Sequence, residues 1–92
     1  EFTGGQKAFE AFLTSNLRYP QSAKESGITG KAYVSFTIDK AGNVTNVKVL
    51  RGIGGGCDEE AVRVIKLTSG KWKPGKQRGK PVKVTMTLPI QF

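Results

Sequence analysis

The apolar positions change period several times along the chain, and each change predicts an element. Phe9, Phe12, Leu13 and Leu17 fall at i, i+3, i+4 and i+8, one face of a helix from about Gln6 to Leu17. Gly4-Gly5 precedes it, and Pro20 stops it because the residue before a proline avoids helical backbone. Gln21 to Ser26 has room for one more short turn. From Lys31 to Asp39 the period drops to two, with Ala32, Val34, Phe36 and Ile38 on one side and Tyr33, Ser35, Thr37 and Asp39 on the other. Asp39 to Asn43 reads as a turn, with Asp39 bonding back to the backbone and Gly42 at positive φ. A second strand follows from Val44 to Leu50, with Val47 and Val49 facing the core. After the loop Gly52 to Gly56, Asp58 suits an N-cap, and Glu59 and Glu60 sit where the helix dipole favours anions. Cys57, Ala61, Ile65 and Thr68 form the stripe of this second helix, which ends at Gly70. A third strand, Val82 to Leu88, alternates Val82, Val84, Met86 and Leu88 with Lys83, Thr85 and Thr87.

The order α-β-β-α-β predicts an α+β fold, with two helices on one face of a three-stranded antiparallel sheet. Pro81 and Pro89 bracket the third strand and place it at an edge, since proline cannot donate to a ladder. The first strand, long and proline-free, takes the centre, so the expected strand order is 2-1-3. Ninety-two residues suffice for one domain, expected over 6–92. The chain begins at Glu1 and reads as an excised fragment, and residues 1–5 are expected to be a disordered lead or a cloning scar without a role in the fold.

Composition narrows the chemistry. There is no histidine and a single cysteine, which leaves no ligand set for zinc and no Ser-His-Asp or Cys-His catalysis. No metal, cofactor or enzymatic activity is expected. Cys57 lies on an apolar stripe and reads as a small buried hydrophobe. No stretch approaches the roughly 20 apolar residues that span a bilayer. The formal charge is +8, and it is uneven: Lys71, Lys73, Lys76, Arg78, Lys80 and Lys83 follow one another with no acid among them. Gly70 to Lys76 nearly spells a P-loop, but Gln77 stands where Ser or Thr must hold magnesium. Gly27-Ile28-Thr29-Gly30 matches the G-x-x-G of KH domains but leads into a strand. Basic residues beside Trp72 fit single-stranded nucleic acid only weakly, one aromatic being a poor stacking platform. A solvated, mobile basic loop accounts for the run, with Lys76, Arg78 and Lys80 steering an acidic partner. The third strand, as an edge, either accepts a partner strand or is guarded by Pro81, Lys83 and Pro89 against aggregation.

Several motifs in one order resemble the C-terminal domain of the TonB family, the energy-transducing proteins of Gram-negative envelopes. They are Tyr19-Pro20 with Ala23; Gly27 and Gly30; Val34, Phe36, Ile38-Asp39 and Gly42; Asp58 and Ala61; Trp72 to Gly75; and Gly79 to Val82 with Pro89 and Phe92. The resemblance runs from about Leu17 to Phe92. It departs at the glycine-rich stretch 52–56 and at Cys57, where a leucine is common. It implies two helices on a three-stranded antiparallel sheet. It also implies a periplasmic location, on a stalk from an inner-membrane helix that this chain lacks. Such domains grip an extended "TonB box" of an outer-membrane receptor and pull on it through inner-membrane partners that use the proton-motive force. By resemblance the box pairs with Val82, Lys83, Val84, Thr85, Met86, Thr87 and Leu88, with Tyr19 and Pro20 close to the docked segment. Similar domains are also appended to membrane sensor and peptidase proteins, and a strand-exchanged homodimer is left open. Nucleic acid is not an expected partner.

Overall fold

A computed structural model describes residues 2–92. Helix α1 (Gly5–Asn16) and the short α2 (Gln21–Glu25) precede a hairpin of β1 (Lys31–Ile38) and β2 (Val44–Arg51). Helix α3 (Cys57–Leu67) follows, then the small strands β3 (Gly75–Gln77) and β4 (Lys80–Val82), and last β5 (Val84–Gln91). The main sheet is antiparallel with order β2-β1-β5, so the first strand is central and the last strand an edge, as the proline pattern predicts.

The core follows from the two periods. Ala32, Val34, Phe36 and Ile38 of β1 are buried on one face with Ile90 of β5. Phe9 of α1 and Ala61 and Ile65 of α3 close over them. Trp72 is buried among the rings of Phe2, Phe9 and Phe36, with centroids 5.3–5.5 Å away. Its indole N–H donates to the Thr68 hydroxyl at 2.8 Å, so a buried donor is satisfied.

Four expectations are corrected. Phe2, read as part of a lead without a fold role, is 7% exposed and bridges Trp72 in an antiparallel pair, while Glu1 lies outside the described residues. Asp58 is not the N-cap of α3; Gly56 is. The Asp58 carboxylate instead accepts the N–H groups of Ile53 (2.8 Å) and Gly54 (3.3 Å) and fastens the glycine loop. That contact explains Gly52, where an added Cβ would sit 2.2 Å from the carboxylate. The basic run is no open loop. Gly75 pairs with Val82, Lys76 with Pro81 and Gln77 with Lys80. Arg78 (φ 53°) and Gly79 (φ 76°) both take positive φ, the mark of a tight type I′ hairpin turn. Finally, the last strand is Val84–Gln91, not Val82 to Leu88; Val82 belongs to the small hairpin and Lys83 is a break between the two.

Candidate functional site

The sheet has two free edges, and they differ. Along β2 the register with β1 slips twice, between Tyr33 and Val34 and between Ser35 and Thr37. Asn46, in the second slip, sits at φ 51°. Such bulges spoil an edge as a template for another strand. Along β5 the register with β1 is unbroken from Val84 opposite Ile38 to Gln91 opposite Lys31.

The phase of that ladder settles which groups face outward. Just past the strand ends, Gly30 and Phe92 exchange both backbone bonds, Gly30 N to Phe92 O at 3.3 Å and Phe92 N to Gly30 O at 2.8 Å. Antiparallel pairs alternate between bonded and non-bonded. Counting back from Phe92, Ile90, Leu88, Met86 and Val84 bond to β1, while Gln91, Pro89, Thr87 and Thr85 turn their main chain to the open side. Pro89 fits because it stands where the ladder needs no N–H. Of the seven residues expected to bind a partner strand, five lie in β5, and of these Thr85 and Thr87 carry outward backbone groups. Pro89 and Gln91, beyond the expected end at Leu88, join them.

Side chains alternate in the same phase. Ile90 is buried beneath the helices; Thr85, Thr87, Pro89 and Gln91 are exposed on the other face. There the Thr37 and Thr85 hydroxyls meet at 3.0 Å, a cross-strand pair that pins β5 to β1.

Tyr19 and Pro20 lie at the Phe92 end of this edge. The Tyr19 hydroxyl donates to the Ile28 carbonyl, and its half-buried ring meets Phe92 edge-on at 5.8 Å. Pro20 is the N-cap of α2, and its carbonyl accepts the Lys24 N–H at 3.0 Å. Both residues thus hold the link between α1 and α2. Glu60 fixes the same link from α3, accepting the Arg18 N–H at 2.6 Å and a two-pronged guanidinium contact from Arg63 at 2.7 Å. Arg63 also donates to the Asn16 carbonyl at the end of α1. The Arg63 bonds, with the Arg18 N–H, hold the Glu60 carboxyl below its ordinary range.

The hairpin β3–β4 stands at the other end, where Val82 leads through Lys83 into β5. Arg78 and Lys80 line an open cleft together with Lys40 from the β1–β2 turn. Lys40 was not evident as a member of this group; the contact of Gly70 N with Gly42 O at 3.0 Å brings its turn alongside. Lys76 pairs opposite Pro81 and so projects to the other face of the hairpin from Lys80. Trp72, enclosed in the core, offers no stacking surface. Cys57 is fully buried, and burial, with the charges of Asp58 and Glu59, pushes its thiol upward and away from the reactive thiolate.

The model of the Gram-negative bacterial TonB protein C-terminal family matches residues 15–92. The chain belongs to the TonB C-terminal family. Protein TonB of Helicobacter pylori strains J99 and 26695 is 46% identical over 39 residues, which are 42% of this chain and 14% of each of those proteins. The match thus spans about a seventh of these relatives. The NMR solution structure of the Helicobacter pylori TonB C-terminal domain, residues 179–285, superposes with a TM-score of 0.71 at 30% identity, covering 91% of this chain and 75% of that one. The structure of residues 194–285 gives 0.71 at 32%, covering 94% and 88%. The α+β architecture of this TonB-family domain is therefore the one found in those solution structures.

Proposed function

We propose that this TonB-family domain is a periplasmic protein-binding module that captures an extended segment of an outer-membrane receptor. The segment adds as a fourth strand along Thr85–Gln91. Force from an inner-membrane proton-motive complex reaches it through an anchor outside this chain. The observation that carries this reading is the unbroken β5 edge beside a bulged β2 edge. Recognition is main-chain pairing, with no chemistry performed on the partner.

The edge offers seven outward groups: an N–H and a C=O on each of Thr85, Thr87 and Gln91, and a C=O on Pro89. Each backbone bond contributes about 0.5–1.5 kcal/mol net. After the cost of ordering a flexible peptide, affinity is micromolar at best, as suits a contact that is made and released. Lys76, Arg78 and Lys80 stand beyond the Val84 end and draw in acidic residues at that end of the segment without holding them.

Amide hydrogen exchange tests the proposal directly. A synthetic receptor segment should protect the N–H groups of Thr85, Thr87 and Gln91 and leave β2 unchanged. Protection confined to β2 or to the helices would refute strand addition at β5.

A further inference from the structure

Two clefts separate α1 from the β5 edge. One, of about 240 Å³, lies among Phe9, Trp72, Met86 and Leu88, with Gly5 and Gln6 of the first turn of α1. The other, of about 350 Å³, lies among Glu10, Leu13, Leu17, Ile90 and Gln91. Both open on the helix side of the strand whose outer edge is unpaired. Residues 5–14, which supply the α1 wall of both, precede the 15–92 matched by the family model.

A strand added to β5 sends alternate side chains to the two faces, whichever direction it runs. Residues beside Met86, Leu88 and Ile90 point toward α1; those beside Thr87 and Pro89 point away. Leu88 and Ile90 are two residues apart, about 6.5–7 Å along a strand, and each cleft has one of them in its lining. The first cleft is walled by rings, a thioether and a leucine and suits an apolar side chain. The second has an aliphatic floor of the half-buried Leu13 and Leu17, over the buried Ile90, with the exposed Glu10 beside it. That combination suits a long stem with a cationic head. We infer that α1 reads the captured segment, selecting an apolar residue beside Leu88 and a lysine or arginine beside Ile90.

This inference rests on strand addition at β5, and the test separates the two. The probes are the synthetic peptide Thr-Val-Thr-Val-Thr-Lys-Thr and its reverse, titrated into the labelled domain by NMR. Three substituted peptides accompany them: Ser for the second Val, Glu for Lys, and both. The Ser peptide should bind about tenfold more weakly, the loss of one buried apolar side chain. The Glu peptide should bind about two- to fivefold more weakly, as an exposed pair allows. Glu10→Lys, on the exposed face of α1, should reverse the order of the Lys and Glu peptides. Amide shifts at Thr85, Thr87 and Gln91 with the same peptide order in wild type and Glu10→Lys would overturn the role of α1 and leave strand addition standing. No shift at β5 with any peptide would overturn both.

Discussion

Proline at Thr87 tests the phase of the edge. In the ladder inferred from the Gly30–Phe92 bonds, the Thr87 N–H faces the open side and the Met86 N–H faces Phe36 of β1. Replacing Thr85 and Thr87 by proline therefore removes two backbone donors available to a partner and none used in the β1 ladder, although Thr85→Pro also removes the hydroxyl contact with Thr37. Pro89 already occupies an equivalent position within β5. At about 0.5–1.5 kcal/mol for each lost bond, the double variant should bind a receptor segment with about 1–3 kcal/mol less free energy. That is roughly a 5- to 150-fold rise in Kd. Met86→Pro differs, because it strands a buried carbonyl of Phe36 at about 1–3 kcal/mol and pushes a ring into the ladder. A domain of this size moves about 4–8 °C in Tm for each kcal/mol. Calorimetric titration and thermal melts on the same samples give both readouts. Thr87→Pro alone should melt within about 4 °C of wild type, the double variant about 4–8 °C lower because it also loses the Thr37–Thr85 contact, and Met86→Pro more than about 8 °C lower. Wild-type affinity in the double variant would refute pairing at β5. A Thr87→Pro variant as unstable as Met86→Pro would refute the phase itself.

Four further outcomes are expected. Tyr19→Phe should lose the bond to the Ile28 carbonyl and about 1 kcal/mol of stability, and Tyr19→Ala several times that as the Phe92 contact goes; unchanged Tm with lost partner binding would move Tyr19 from structure to interface. Phe2→Ala should cost up to about 3 kcal/mol in chemical denaturation, since the ring closes the cluster over Trp72; an unaltered midpoint would return Phe2 to a passive role. Glu60 has a lowered folded pKa, so its stabilisation is complete above the ordinary value of 4.5 and is lost as pH falls through the folded value. The stability gap between wild type and Glu60→Gln should therefore close below about pH 4.5, and a constant gap from pH 7 to 3 would contradict the Arg63 clamp. Neutralising Lys76, Arg78 and Lys80 should slow stopped-flow association of an acidic segment several-fold at low salt and leave dissociation nearly unchanged, because exposed pairs contribute about 0–1 kcal/mol; a large rise in dissociation rate would show that the hairpin grips.

The long periodic segments were legible because their period is set by burial on one face. β1 and α3 bury the stripe that their spacing indicates, while α1 buries Phe9, half-buries Phe12 and Leu13 and ends before Leu17. What escaped has particular physical causes. β3 and β4 are three residues each, too short for a period to show, and neither faces the core. Their one local signal was Arg78-Gly79, a weak form of the x-Gly turn pair. Asp58 looked like a cap because caps are the common use of aspartate before acidic helical residues. Its actual partners, the N–H groups of Ile53 and Gly54, depend on a loop path that no pattern encodes. Phe2 belongs to no period, and tertiary contacts with Phe9, Phe12 and Trp72 give it its place.

Pro89 is the instructive case. It falls just past the Val82 to Leu88 alternation, and its missing donor places that strand at an edge. An edge strand, however, uses only every second N–H in its ladder, so a proline at the right parity costs nothing and need not end it. Taken that way, Pro89 carries more information than a boundary. If it lies within an edge strand, residues of its parity must face outward, and Thr87, Thr85 and Gln91 follow as the open positions before any register is known. The register with β1 then agrees through Phe92 and Gly30, a separate pair of bonds. What sequence could not supply was the choice between the two edges of the sheet. That choice turns on the slips in β2, where Asn46 and Val47 stand opposite the single residue Phe36 of β1 and Leu50 is extra between the partners of Val34 and Tyr33.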